Sequence, residues 1–170
     1  ITSRDPAPPP VSYVLGSGGI FVDMTIHDFD MARYIVGSPV VELYATGAVL
    51  IDPAIGEAGD LDTAVAVLTH ANGALTTIDN SRQAVYGYDQ RVEVHGSLGR
   101  LIAGNRVATS VEQADATAVA TDKPLHFFLE RYAAAYRIEL ATFVDAVVNR
   151  KPMPVGAQDG RQALVLAEAA

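Results

Sequence analysis

The chain has 170 residues, enough for one well-filled core, and its 49% hydrophobic and 19% charged composition is that of an ordinary folded domain. A formal net charge of -8, with twelve scattered basic residues, excludes a phosphate-neutralising surface and disfavours anionic membranes, so neither nucleic acid nor membrane is expected as a partner. The absence of cysteine excludes disulfides and thiolate metal sites and fits a reducing cytoplasm, the expected location.

In chain order, the proline-rich stretch Thr2 to Pro10 predicts an extended segment at a sheet edge or surface. Gly16-Ser17-Gly18-Gly19 reads as a tight turn. It matches neither the dinucleotide fingerprint nor the Walker pattern. From Val22 to Val36 the period is helical, with Val22, Ile26, Phe29 and Arg33 on one face and Asp23, His27, Asp30 and Tyr34 on its neighbour. Gly37, Ser38 and Pro39 end that helix. The period then shortens. Residues 40–51, 62–69, 74–80, 91–95 and 100–103 read as strands between turn residues, with Asn72-Gly73 as a hairpin signal and further strand expected within 107–121. Helical periodicity returns over 127–149, with Phe128, Tyr132, Ala135, Leu140, Phe143 and Val147 as core candidates. A last helix starts near Gly160 and is still helical in composition at Ala170, which suggests a domain from a longer protein. Consecutive strands with short turns, flanked by helices, predict an α+β fold: a single domain over 1–170 built on an open, mostly antiparallel β-sheet with helices packed on one face.

The chemistry-bearing pair is Asp23 and His27, four residues apart on a helix. An aspartate that accepts the proton of one imidazole nitrogen fixes the tautomer and raises the basicity of the other, as a general base requires. The same spacing also describes an ordinary surface ion pair worth a few tenths of a kcal/mol, and spacing alone does not choose between them. The glycine-rich bend just before the pair allows a close approach of backbone to ligand. Metal ligation by Asp23, His27, Asp28 and Asp30 is disfavoured because neighbouring helical positions diverge, and His70, His95 and His126 have no supporting spacing; no metal is expected. Tyr86-Gly87-Tyr88-Asp89 reads either as a hairpin bend with aromatic packing or as a set of hydroxyl and carboxylate groups suited to a polyol.

The run from Gly18 to Arg33 resembles the signature of the Gfo/Idh/MocA oxidoreductases, inositol 2-dehydrogenases among them. Ser3-Arg4-Asp5-Pro6, Tyr86-Gly87-Tyr88-Asp89 leading to Glu93-Val94-His95-Gly96, the helix from Glu130 to Asp145, and Asp159-Gly160 agree with the same family in the same order. The resemblance implies a two-domain enzyme that oxidises a CH–OH group of a cyclitol or sugar with NAD or NADP held by an N-terminal Rossmann domain absent from this chain. It implies His27 as general acid/base, Asp23 as its orienting partner, Asp5 and Tyr88 in the substrate pocket, and homo-oligomer contacts through the exposed sheet face. Two departures stand out. Asp5 occupies a position where some inositol dehydrogenases carry asparagine, and the only lysines, Lys123 and Lys151, do not match the family's catalytic Glu-Lys-Pro segment. On this reading the chain alone binds no cofactor and does not turn over. The alternatives are a non-catalytic polyol-binding or assembly domain of the same fold and, more remotely, a metal-dependent hydrolase or isomerase.

Overall fold

The computed structural model describes residues 1–170. Strand β1 (Thr2–Arg4) leads through prolines into α1 (Val11–Ser17), a helix that the turn expected at residues 16–19 had concealed. Gly18 and Gly19 both adopt positive φ there, so the chain breaks after α1 and re-enters a helix at once. That re-entry is a π-helical turn, Phe21–Thr25, which runs directly into α2 (Ile26–Val36). Such wide turns are rare inside helices and concentrate at functional sites.

The middle of the chain builds the sheet: β2 (Val40–Ala48), β3 (Thr63–His70), β4 (Leu75–Ser81), β5 (Asp89–Gly96) and β6 (Gly99–Ala103). With β1 inserted, the order is β2-β3-β4-β1-β5-β6. Every pairing is antiparallel except that of β1 with β4, so the sheet is open and mostly antiparallel as predicted. Strand β2 stops three residues short of the predicted end for a definable reason. The N–H groups of Leu50, Ile51 and Asp52 donate to the carboxylate of Asp62 at 2.8, 2.8 and 3.0 Å, and so cannot continue a ladder. Asp52 then accepts from Ala54 N–H and, with Pro53 behind it, starts the short helix α3 (Pro53–Glu57). These donors hold the Asp62 carboxyl below its ordinary range despite its burial.

The core lies between one sheet face and the helices. Phe29 and Ala32 of α2 meet Ala66, Leu68 and Ile78 of β3 and β4, and Ala167 of the last helix completes the cluster. The opposite face is open to solvent and carries Tyr44, Val65, Val67 and Leu75. His70, the last residue of β3, is buried, its ring nitrogens 3.0 and 2.9 Å from Ser38 O and Thr76 Oγ1.

Beyond β6 lie a small hairpin, β7 (Glu112–Ala114) and β8 (Val119–Thr121), then α4 (Phe128–Arg131), α5 (Ala133–Val148) and α6 (Ala157–Ala169). Helix α6 begins three residues before Gly160, because Asp159 accepts the Gly156 N–H and caps the helix at Gly156. The core candidates on the preceding helix require correction. Leu140, Phe143 and Val147 are 64%, 55% and 54% exposed, Ala135 is exposed, and Phe128 and Tyr132 are only half-buried. Of the residues of α5 only Ala146 is buried, so most of its apolar side chains stay exposed in this chain. No helix is long and apolar enough to cross a membrane.

Candidate active site

The first turns after Gly19 are fixed by a buried guanidinium. Arg82, just past the end of β4, is fully buried, and its Nη1 donates to Asp23 Oδ2 at 2.8 Å while Nη2 donates to Asp60 Oδ2 at 3.0 Å. The other Asp60 oxygen accepts the N–H of Ile20 at 2.8 Å. A free helix N-terminus attracts anions. Here that position is filled by the chain's own carboxylate, so the glycine turn is no phosphate loop. Gly19 is required at this spot, since it has φ of +87° and a Cβ would sit 3.1 Å from Asp60 Oδ1.

Asp23 is thus bound on both oxygens: Oδ2 to Arg82, and Oδ1 to the Tyr13 hydroxyl at 2.6 Å. No hydrogen bond or ion pair joins Asp23 to His27. The π turn separates them, and the helical register that puts residues four apart in contact does not hold across it. His27 is exposed, at the rim of a shallow cleft whose other wall includes Pro154, Val155 and Asp159 ahead of and within α6.

Asp5 follows β1 and is held by its backbone, its N–H donating to Ser81 O and its carbonyl accepting from Ala84 N–H. Its carboxylate makes no hydrogen bond. Burial pushes it up to about 6, with nearby Arg82 pulling down and Asp23 pushing up. A carboxyl raised in the native state binds protons more readily than in the unfolded chain, so stability from this group falls as pH rises from about 4 to about 6. Asp5→Asn is expected to remove that component. Denaturant unfolding at intervals across the window would show it, and identical pH dependence in the two proteins would contradict it.

Tyr88 is brought in by the antiparallel pairing of β5 with β1, whose register sets Asp89 opposite Arg4. Gly87 has φ of +128° and a Cβ there would lie 2.7 Å from Pro124 O, so only glycine lets the loop close on residues 124–125, where Tyr88 N–H donates to Leu125 O. The Tyr88 ring meets Tyr132 edge to face at 6.0 Å between centroids. Burial, with Tyr132 and the nearby Asp5 and Asp28 carboxyls, drives the Tyr88 hydroxyl far above its ordinary range, so it stays protonated and can donate to a hydroxylic ligand.

Beneath these groups a second polar network spans helix and sheet. Asn80 and Gln90 donate to the buried Asp28 carboxylate at 2.7 and 3.3 Å, Thr25 donates to Asn80 Oδ1 at 2.7 Å, and Ser3 donates to Gln90. Burial raises the Asp28 carboxyl, while its two amide donors oppose that. Of the residues singled out in the sequence, Asp23 is paired with Arg82, Asp5 lies within electrostatic reach of Arg82, Asp23 and Tyr88, and His27 stands apart on the exposed side of α2. Arg82, Asp60, Tyr13 and Asp28 were not singled out as site residues. Their partners lie far away in sequence, beyond any spacing rule. No three metal-binding side chains converge anywhere. The one parallel strand pair, β1 and β4, is not joined by a single strand–helix–strand unit.

A family model for the GFO/IDH/MocA C-terminal domain matches residues 1–102. Myo-inositol 2-dehydrogenase of Thermotoga maritima is 57% identical over all of this chain and 51% of its own length. Inositol 2-dehydrogenase of Rhizobium meliloti is 52% identical over all of this chain and 52% of its own length. Among solved structures, a probable dehydrogenase from Thermotoga maritima superposes with a TM-score of 0.97 at 57% identity, covering 99% of this chain and 51% of that one. Scyllo-inositol dehydrogenase from Lactobacillus casei, with bound NAD(H) and scyllo-inositol, gives 0.87 at 27% identity, covering 99% and 52%. The chain spans about half the length of the curated relatives it matches most extensively. A sheet of this topology, the residue pattern around Asp23 and His27 and these likenesses together show that the chain belongs to the Gfo/Idh/MocA oxidoreductase family and comprises its C-terminal domain.

Proposed function

We propose that residues 1–170 form the substrate-binding and acid/base domain of an NAD(P)-dependent dehydrogenase acting on a CH–OH group of an inositol or a related sugar. The carrying observation is Asp23, paired with the buried Arg82 and within electrostatic reach of Asp5, four residues ahead of an exposed histidine. Polyols offer hydroxyls that both donate and accept. The partly buried carboxylate of Asp5, without a hydrogen bond of its own, accepts from one, and the protonated Tyr88 donates to another.

A nicotinamide held by the rest of the enzyme would supply the acceptor for the carbinol hydride. His27, exposed and free of competing hydrogen bonds, takes the hydroxyl proton, and Asp23 supplies fixed negative charge one turn away. Around Arg82 three carboxylates, those of Asp5, Asp23 and Asp60, face one cation, and a lysine from the remaining half of the enzyme would offset the surplus. The open sheet face, with Tyr44, Val65, Val67 and Leu75 exposed, suits a homo-oligomer contact. The same face supports a second reading, a non-catalytic assembly domain. We place the enzyme in the cytoplasm on the strength of its cysteine-free sequence.

The full-length protein supplied with myo- or scyllo-inositol should reduce NAD or NADP in step with ketone formation. No reduction with any cyclitol or hexose would favour the assembly reading. On this reading the dinucleotide is held by the other half of the enzyme, so calorimetric titration of this chain with NAD and NADP is expected to show no binding, and saturable micromolar heats would contradict that.

A further inference from the structure

We propose that Arg82, held in turn by Asp60, is a positioning residue that fixes Asp23 for the acid/base chemistry; this rests on the assignment of Asp23 and His27 made above. Arg82 is the largest fully buried side chain in the chain, and its Nε has no hydrogen-bond partner. Burying a guanidinium is costly unless its charge is met by well-placed acceptors. Both of its pairs go to one place. Asp23 lies inside the π turn, and Asp60 grips the Ile20 N–H at the entry to that turn. The backbone N–H of Arg82 donates to Asp62 O at 2.8 Å, which ties the residue to the start of β3. A continuous link therefore runs from Ile20 through Asp60 and Arg82 to Asp23, and it spans the turn that delivers α2 and His27.

The planar guanidinium sets the angle between its two donors, so anchoring Nη2 on Asp60 fixes the direction in which Nη1 holds Asp23. The two Asp23 oxygens are consequently unequal. Oδ2 is locked to a buried cation, with 1% and 16% side-chain exposure for the two partners. Oδ1 is closed only by the hydroxyl of Tyr13, a residue 53% exposed, and can change partner without disturbing the fold. Oδ2 is the anchored oxygen, and Oδ1 is the one available to the reaction.

The test compares Arg82→Gln, Arg82→Lys and Asp60→Asn in the full-length enzyme, with His27→Ala alongside. Arg82→Gln should lower kcat about tenfold or more while the polyol KM changes less than about threefold. The charged and titratable groups facing Asp23 are Tyr13, Asp5, Asp60 and Arg82, with His27 one turn on. Lysine at position 82 should restore only part of kcat, because it returns the charge without the fork. Asp60→Asn keeps side-chain shape and carries the test if the Arg82 variants do not fold; it should lower kcat about threefold or more with KM kept. A folded variant at either position with parental kcat overturns the clamp. If His27→Ala loses turnover while these variants keep it, the clamp alone fails. If His27→Ala keeps turnover, the acid/base assignment fails and the clamp with it.

Discussion

His27→Ala in the full-length enzyme is expected to lower kcat about 10²- to 10⁴-fold, the range a positioned acid/base group contributes. The fold should not notice the change. His27 is exposed and makes no hydrogen bond, and alanine is the better helix former, so stability should stay within about 0.5 kcal/mol of the parent. Polyol affinity should also survive, because Asp5 and Tyr88 approach the site from β1 and from the loop before β5, independently of α2. Steady-state kinetics paired with a thermal melt separates the possibilities. A kcat within a few-fold of the parent would remove His27 from the chemistry.

The largest stability effect is expected at Phe29. Its side chain has no solvent exposure and sits where α2 meets the sheet, against Ala32, Ala66, Leu68, Ile78 and Ala167. Three of those five neighbours are alanines, which have no longer side chain to swing into a vacated space. Phe29→Ala should therefore leave most of its volume as a cavity and cost about 3–5 kcal/mol. The cost reaches the site as well, since Phe29 is the anchor that presses the His27-bearing helix onto β3 and β4. Urea unfolding of the variant measures it, and a loss below about 1.5 kcal/mol would mean that the packing collapses around the gap.

Much of this fold is legible because its signals are local. Val22 to Val36 carries its own helical period and its own stop at Gly37, and Asn72-Gly73 sits between two strand-like runs that do pair as a hairpin. Elements set by distant partners were not legible. Nothing near Leu50 announces that Asp62 will take its N–H and end β2. Helix α1 was hidden because its glycine-rich exit is indistinguishable from a turn when read residue by residue. The apolar positions of α5 had the periodicity of a core helix, and the pattern marks surface that needs covering without saying that the cover lies in the same chain.

The site divides in the same way. Asp23 and His27 are visible as a pair on one helix, whereas the π turn that interrupts their register has no spacing signal of its own. Arg82 lies 59 residues from Asp23 and 22 from Asp60, so no motif spacing could link the three. Asp5 and Tyr88 were reached through family resemblance. Their setting, one carboxyl without a hydrogen-bond partner and one phenol held protonated by burial, comes only from the folded chain.

The account turns on where a polyol lies relative to these side chains, and a crystal structure of the full-length protein with a nicotinamide cofactor and an inositol measures that directly. The account predicts one inositol hydroxyl within about 3.2 Å of a His27 ring nitrogen, with Asp5 and Tyr88 hydrogen-bonded to others and Arg82 still on Asp23. An inositol bound away from α2, or one whose reacting hydroxyl is out of reach of His27, would contradict it.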